Sequence, residues 1–240
     1  MEWLPAKWPK GVPIRNTSIG IGGWAVGTVE HVLSALAGLH ITDAIIDIDG
    51  PEVPILDGSA LPFVQALRPL IVEFDKSAEP LTPRRVIEVT DGGGGSIRLE
   101  PGAGSASCTL TYELDYGPGS PIPPQTATWD AAAPDAADTY AQNIAPARTF
   151  SLLAEARAAR SAGLFQHLSA ADMLVIGDDG RPIDNTWRTA DEPSRHKLLD
   201  LIGDLALLGR PLAACTITAR RSGHALTREL CRRVLADQAL

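Results

Sequence analysis

Cysteine, methionine and aromatic residues are scarce in this chain. Of 240 residues, three are Cys, two are Met and 5% are aromatic. The cysteines, Cys108, Cys215 and Cys231, lack the Cys-x-x-Cys spacing of a thiolate metal site or a redox pair. Each lies in an apolar or amphipathic stretch and is expected to be a buried free thiol, which points to a reducing compartment. No apolar run approaches the roughly 20 residues needed to cross a bilayer. The first residues, MEWLPAKWPKGVPIRN, lack the apolar core of a signal peptide. Positive charge is also short. Lys and Arg number 21 against 29 Asp and Glu, a net charge of −8. That balance argues against nucleic acid and anionic membranes as partners, while leaving room for a local basic pocket. What is present is an ordinary globular composition, 45% apolar and 21% charged, long enough for one large or two small domains with a real core. A cytoplasmic protein is expected.

The pattern along the chain interleaves helices and strands without regular βα alternation, which favours α+β layers. Residues 1–27 are rich in Gly, Pro and Trp and show little periodicity. Thr28 is a candidate cap for a helix with Leu33, Leu36 and Leu39 near one face. Residues 43–49 read as a short strand, 51–58 as a turn-rich loop and 59–71 as a second helix. A linker is expected at 77–83. Strands are expected at 85–90, 96–100 and 108–115, with a glycine turn at 92–95 and a proline-rich loop at 117–124. Helices are expected at 135–142, 150–162, 195–208 and 225–236, and strands at 173–176 and 211–219. A weak internal repeat joins two of the helices. His31-x-Leu33-x-x-Leu36-x-Gly38 matches His196-x-Leu198-x-x-Leu201-x-Gly203. It suggests two copies of one small domain, 1–78 and 84–240, facing each other and each giving a histidine to a shared site.

The chemistry gathers at those helices. His196 and Asp200 are one turn apart and point the same way. With His31 they would give three protein ligands for zinc and leave a fourth position for water. Glu30, beside the first histidine but on a different part of the helix surface, is placed to serve as the base that activates this water. Arg221-Ser222-Gly223-His224 puts a histidine at a helix start, where Gly223 allows close backbone approach. His224 could give a proton to a leaving amine, with Asp204 raising its pKa and fixing its tautomer. Thr149, in Arg148-Thr149-Phe150, suits either a helix cap or a hydroxyl aimed at an oxyanion. His40 and His167 have no supporting partners and read as structural.

Taken in order, these blocks resemble one family. They are Thr28-Val29-Glu30-His31, Pro51-Glu52-x-Pro54-Ile55-x-Asp57-Gly58-Ser59, Ala147-Arg148-Thr149-Phe150, Arg195-His196-Lys197-x-Leu199-Asp200-x-Ile202-Gly203-Asp204 and Ser222-Gly223-His224-Ala225-Leu226. The series is similar to the UDP-3-O-acyl-N-acetylglucosamine deacetylases of lipid A biosynthesis, from about Thr28 to about Leu235. The resemblance implies a zinc amidase of two similar α+β domains with the active site between them. It implies His31, His196 and Asp200 as Zn²⁺ ligands, Glu30 as general base and His224 with Asp204 as the acid or oxyanion-stabilising cation. Thr149 would contact the tetrahedral oxygen. Lys197 and Arg221 would meet the diphosphate or sugar of an acylated UDP-amino sugar, and Leu152 would line an acyl passage.

Two departures from the family pattern carry expectations of their own. The early strand-rich segment with its Gly-Leu-His motif is not found in the 27 residues before Thr28. A smaller first domain is therefore expected, with a sheet edge covered by the Trp-rich start or a partner subunit. The glycine-rich stretch after the Arg-Thr-Phe block is replaced by residues 165–170. Weaker dependence on the nucleotide and acyl groups is expected as a result. The alternatives are a zinc amidase for another N-acylated sugar, or a non-catalytic sugar-nucleotide-binding relative.

Overall fold

The computed structural model describes residues 2–3, 15–21, 23–74, 78–102, 107–166, 168–169 and 172–238. The chain begins with three short strands, β1 (Glu2–Trp3), β2 (Ile19–Ile21) and β3 (Trp24–Val26), then α1 (Glu30–Gly38) and α2 (Leu61–Leu67). Next come β4 (Ile87–Thr90), β5 (Ser96–Pro101), β6 (Cys108–Leu114) and β7 (Gln125–Asp130). A short α3 (Ala136–Thr139) runs into a π-helical turn at Tyr140–Ile144. Then follow β8 (Phe150–Leu152), α4 (Leu153–Ser161), β9 (Leu174–Ile176), α5 (Glu192–Leu205), β10 (Cys215–Arg220) and α6 (His224–Gln238). The fold is α+β, as expected.

Its centre is a five-stranded sheet in the order β4-β5-β10-β6-β7. β10 runs parallel to β6 and antiparallel to β5, and the remaining pairs are antiparallel. The strands alternate in burial as one-sided strands do, with Val89, Ile97, Leu99, Leu110, Tyr112, Ile217 and Ala219 facing in. α5 packs on β6 and β7, and α6 on β4 and β5. α5 also packs along α1, so it is enclosed on nearly all sides, and Leu198, Leu199, Leu201 and Ile202 are all buried. Burial of each such side chain stabilises by about 1.5–3 kcal/mol. Pro193 sits in the first turn of α5, where its missing N–H costs nothing.

Both glycines of the internal repeat have packing reasons. A Cβ on Gly203 would lie 2.0 Å from the carbonyl oxygen of Glu30, so α1 and α5 meet backbone to backbone there. A Cβ on Gly38 would lie 2.2 Å from the Tyr140 ring. One apolar cluster runs from Ala35, Leu39, Ala60 and Val64 into the sheet. A smaller one joins Val29, Val32 and Val53.

Several local expectations need correction. Residues 43–49 join no sheet among the described residues and are exposed throughout, Ile45 by 93%. Alternating apolar residues encode strand propensity, but a strand also needs a neighbour for its backbone groups. The helix expected over 150–162 begins only at Leu153, because Phe150–Leu152 pairs in parallel with β9. β7 and the β2–β3 hairpin were not anticipated. The linker expected at 77–83 falls partly outside the described residues, as do His167 and much of the Trp-rich start. Cys108, Cys215 and Cys231 are buried free thiols, as expected.

Candidate metal centre and acid–base pair

Glu30 and His31 open α1, and both are buried. Thr28 does not cap this helix. Its φ is +55°, its hydroxyl donates to Glu52, and Val29 takes the cap position with no side-chain bond. The Val29 N–H is satisfied instead by the carbonyl of Thr17, at 3.2 Å. His196 and Asp200 lie one turn apart on α5. Because α1 and α5 meet at Gly203, His31 arrives over the same face. His31 Nε2 is 3.7 Å and His196 Nε2 3.4 Å from Asp200 Oδ1. The imidazole rings stand nearly perpendicular, with centroids 5.1 Å apart. One ligand atom from each of the three residues lies within 4.8 Å of the other two, so the trio could hold a metal ion.

The protonation states suit such a role. Burial lowers the His31 pKa to about 3, with His196 adding to the effect and Asp200 opposing it. Burial likewise lowers His196. Both rings are therefore neutral near pH 7, with a lone pair free for a cation. His196 Nδ1–H donates to the Ala147 carbonyl at 3.1 Å, which leaves its Nε2 lone pair facing the cluster. Burial alone would raise Asp200, but Lys197 and the histidines hold it well below the usual carboxylate range. Lys197 Nζ donates to Asp200 Oδ2 at 2.6 Å. Burial disfavours the Lys197 charge, and Asp200 more than restores it, so its pKa rises.

On either side stand a carboxylic acid and an imidazole with displaced pKa values. Burial pushes Glu30 up to about 8; His224 opposes this, and Asp200 and Asp204 add to it. His224 opens α6. Its burial would lower the pKa, but the Asp204 carboxylate, 2.8 Å from Nδ1, raises it to about 9. Asp204 is one helical turn beyond Asp200, at only 1% exposure. With Nδ1 engaged, the Nε2 of His224 is left to the cleft. A carboxyl group raised to about 8 and an imidazole raised to about 9, beside three potential ligands, mark a site for water activation and proton transfer.

The matching family model is described as LpxC: UDP-3-O-acyl N-acetylglycosamine deacetylase, and it covers residues 4–236. The chain belongs to this family. Three relatives, all named UDP-3-O-acyl-N-acetylglucosamine deacetylase, bear this out. That of Acidithiobacillus ferrooxidans is 37% identical over 243 residues, covering 96% of this chain and 76% of the relative. That of Myxococcus xanthus is 36% identical over 222 residues, covering 92% and 68%. That of an Anaeromyxobacter species is 37% identical over 236 residues, covering 94% and 74%.

A polar cleft of about 360 Å³ is lined by Glu30, His31, His196, Lys197, Asp200 and His224, with Tyr112, Thr149, Arg221 and Gly223 among its other walls. A second, more apolar cavity of about 670 Å³ is lined by Leu153, Ala156, Phe165, Leu168, Met173 and Val175. The two share Arg15, Glu30, His31, Thr149, Phe150 and Glu155.

Most of the residues singled out from sequence converge on the cleft, with adjustments at Leu152, Thr149 and Gly223. Leu152 is not among the residues lining the apolar cavity. It packs against the main core, because strand pairing with Ile176 turns it away, and Leu153 lines the cavity in its place. Thr149 is not a helix cap. It precedes β8, and its N–H donates to the Gly58 carbonyl at 2.7 Å. A Cβ at Gly223 would meet nothing within 4 Å, so the glycine leaves open space and does not serve a close approach. Arg221, at φ +47°, donates to Asp115 Oδ2 at 2.8 Å at the cleft wall. His40 lies away from the cleft, its ring edge-on to Trp129 at 6.4 Å.

Sequence reasoning missed the groups that orient the site. Glu192, fully buried, accepts from the N–H and Nε of Arg148 at 3.1 and 2.8 Å, and so pins the loop whose Ala147 carbonyl holds His196. Tyr112 donates to the carbonyl of Ser222, two residues before His224. Thr17 reaches both Glu30 and Asp204. None of these carries a local pattern. Only the Arg148-Thr149-Phe150 block gave a signal, and its arginine proves to be a positioning group.

Proposed function

We propose that this chain hydrolyses the N-acetyl amide of a UDP-3-O-acyl-N-acetylglucosamine, releasing acetate and the free amine, the deacetylation step of lipid A biosynthesis. The observation that carries this is the juxtaposition of His31, His196 and Asp200 with Glu30 on one side and the His224–Asp204 pair on the other. Two neutral imidazoles and one ionised carboxylate form a donor set that fits Zn²⁺, and three ligands leave a position open, as catalytic zinc requires. When bound there, the ion supplies a Lewis acid for the scissile carbonyl and makes the attacking water more acidic.

The chain's own groups do the rest. Glu30, left ionised where a cation held by the trio counters the burial that raises its pKa, takes a proton from the attacking water as its oxygen bonds to the carbonyl carbon. The Thr149 hydroxyl and the cationic His224 stabilise the oxyanion that develops. The C–N bond then breaks, and the nitrogen leaves with a proton delivered by His224 or returned by Glu30. Asp204 keeps His224 protonated for this duty. Lys197 and Arg221, with Arg15, are the Lys and Arg residues that line the cleft and would meet the diphosphate. The apolar cavity meeting the cleft at Thr149 and Phe150 supports an acyl-bearing substrate and has the size of a small-molecule site. We place the site between two units, residues 1–78 and 84–240, acting in the cytoplasm.

The test is acetate release by purified, zinc-loaded protein from the acylated UDP-sugar, the de-O-acylated UDP-sugar and an N-acetyl sugar without nucleotide. Turnover led by the acylated UDP-sugar supports the proposal. Equal turnover of all three would favour an amidase for another N-acylated sugar. No turnover of any would favour a non-catalytic relative.

A further inference from the structure

Thr17 is completely buried, and nothing in its local sequence marks it. Yet every hydrogen-bonding group it owns is spent on the site. Its N–H donates to Glu30 Oε2 at 2.9 Å. Its hydroxyl donates to Asp204 Oδ1 at 2.6 Å, and the same oxygen lies 3.2 Å from His224 Nδ1. Its carbonyl accepts from Val29 N–H, just before the helix that presents Glu30 and His31. The two carboxylates it contacts lie on α1 and α5, and the imidazole lies on α6.

We infer that Thr17 is a positioning residue for the deacetylation, the tie that holds the base on α1 and the acid pair on α5 and α6 in one geometry. The inference rests on the proposed function. Asp204 has two oxygens. Oδ2 takes the His224 ring at 2.8 Å, and Oδ1 would be left buried and unpaired without the Thr17 hydroxyl. A carboxylate free to rotate there would present His224 with a poorer acceptor and let its ring turn. Asp204 can therefore orient His224 only while Thr17 holds its other oxygen. The link to Glu30 runs through the backbone and survives substitution. The hydroxyl is the group that side-chain changes can remove, and its effect passes through Asp204 and His224.

The experiment compares Thr17→Ala, Thr17→Val and Thr17→Ser with the parent chain and repeats the Ala change in a His224→Ala background. All proteins are zinc-loaded and assayed on the acylated UDP-sugar. Loss of one charge-assisted hydrogen bond predicts that kcat falls about ten- to a hundred-fold in Thr17→Ala, with KM and bound zinc unchanged. Thr17→Ser, which restores the hydroxyl, should recover to within about threefold of the parent. In the His224→Ala background the same change should cost almost nothing, because the group it positions is gone. Parental kcat in Thr17→Ala overturns the inference. So does a Ser variant as slow as the Ala variant, or an equal loss with and without His224, since a purely structural role would give either. Should Thr17→Val fail to fold against the Asp204 carboxylate, the Ala and Ser pair still decides. An inactive parent chain would instead count against the proposed function.

Discussion

The two histidines that face each other across the cleft sit in matching sequence patterns but in unlike surroundings. His196 is held from every side. Its helix is enclosed by the sheet and α1, its Nδ1–H donates to Ala147, and the buried Arg148–Glu192 pair pins that carbonyl. His31 belongs to the thinner N-terminal part. Its Nδ1 is buried but finds no hydrogen-bond partner among the described residues. Nearby chain is open to solvent, with Ile45 and Trp24 largely exposed. The lesson is that the His196 ring is oriented by a complete second layer and the His31 ring by helix packing alone, chiefly the backbone contact at Gly203. The two halves should therefore respond differently when disturbed.

The largest effect is expected from Asp200→Ala, which removes the ligand both histidines approach. Zinc should be lost and turnover should fall to background, while the circular dichroism stays native. Full zinc occupancy in this variant would overturn the ligand assignment. His224→Ala should keep its zinc and lose about a hundred- to ten-thousand-fold in kcat, the usual weight of a general acid–base group. A normal rate would withdraw that role.

Glu192→Gln sharpens the comparison directly. It strips the charge partner from buried Arg148, so unfolding free energy should drop by about 3–5 kcal/mol. The disturbance should pass through Ala147 to His196 and weaken zinc by about ten- to a hundred-fold, as loss of an outer-layer partner does. At the other extreme, Ile45→Ser, on the exposed chain of the N-terminal part, should alter stability by no more than about 0.5 kcal/mol. Chemical denaturation of both variants checks the contrast, and equal losses would erase it.

A pH profile probes the pair between these extremes. His224 acts protonated, and Asp204 raises its pKa to about 9, so activity should persist to that region and then fall. Asp204→Asn removes the carboxylate that raises the value, so the alkaline limb should move to lower pH. An unmoved limb would separate His224 from that limb.

Much of this was legible because it is written in short-range spacing. His196 and Asp200 share a face through helical periodicity, and Asp204 follows by one more turn. The alternation in β5, β6 and β10 announced the sheet. The order of the motif blocks identified the family. What stayed hidden depends on partners far along the chain. Thr17 is 187 residues from Asp204, and Glu192 is 44 from Arg148. No local pattern encodes such pairs. The same reasoning explains the strand expected at 43–49, which has the right residues but no neighbour among the described residues, and Leu152, whose direction is set by its pairing with Ile176.

The central claim is that helices α1 and α5 together build one metal-dependent hydrolytic site. The most direct measurement titrates Zn²⁺ into the metal-free protein and follows acetate release from the acylated UDP-sugar. The account predicts no release without metal and a rise that breaks at one equivalent of zinc per chain. Full turnover by the metal-free protein would contradict it.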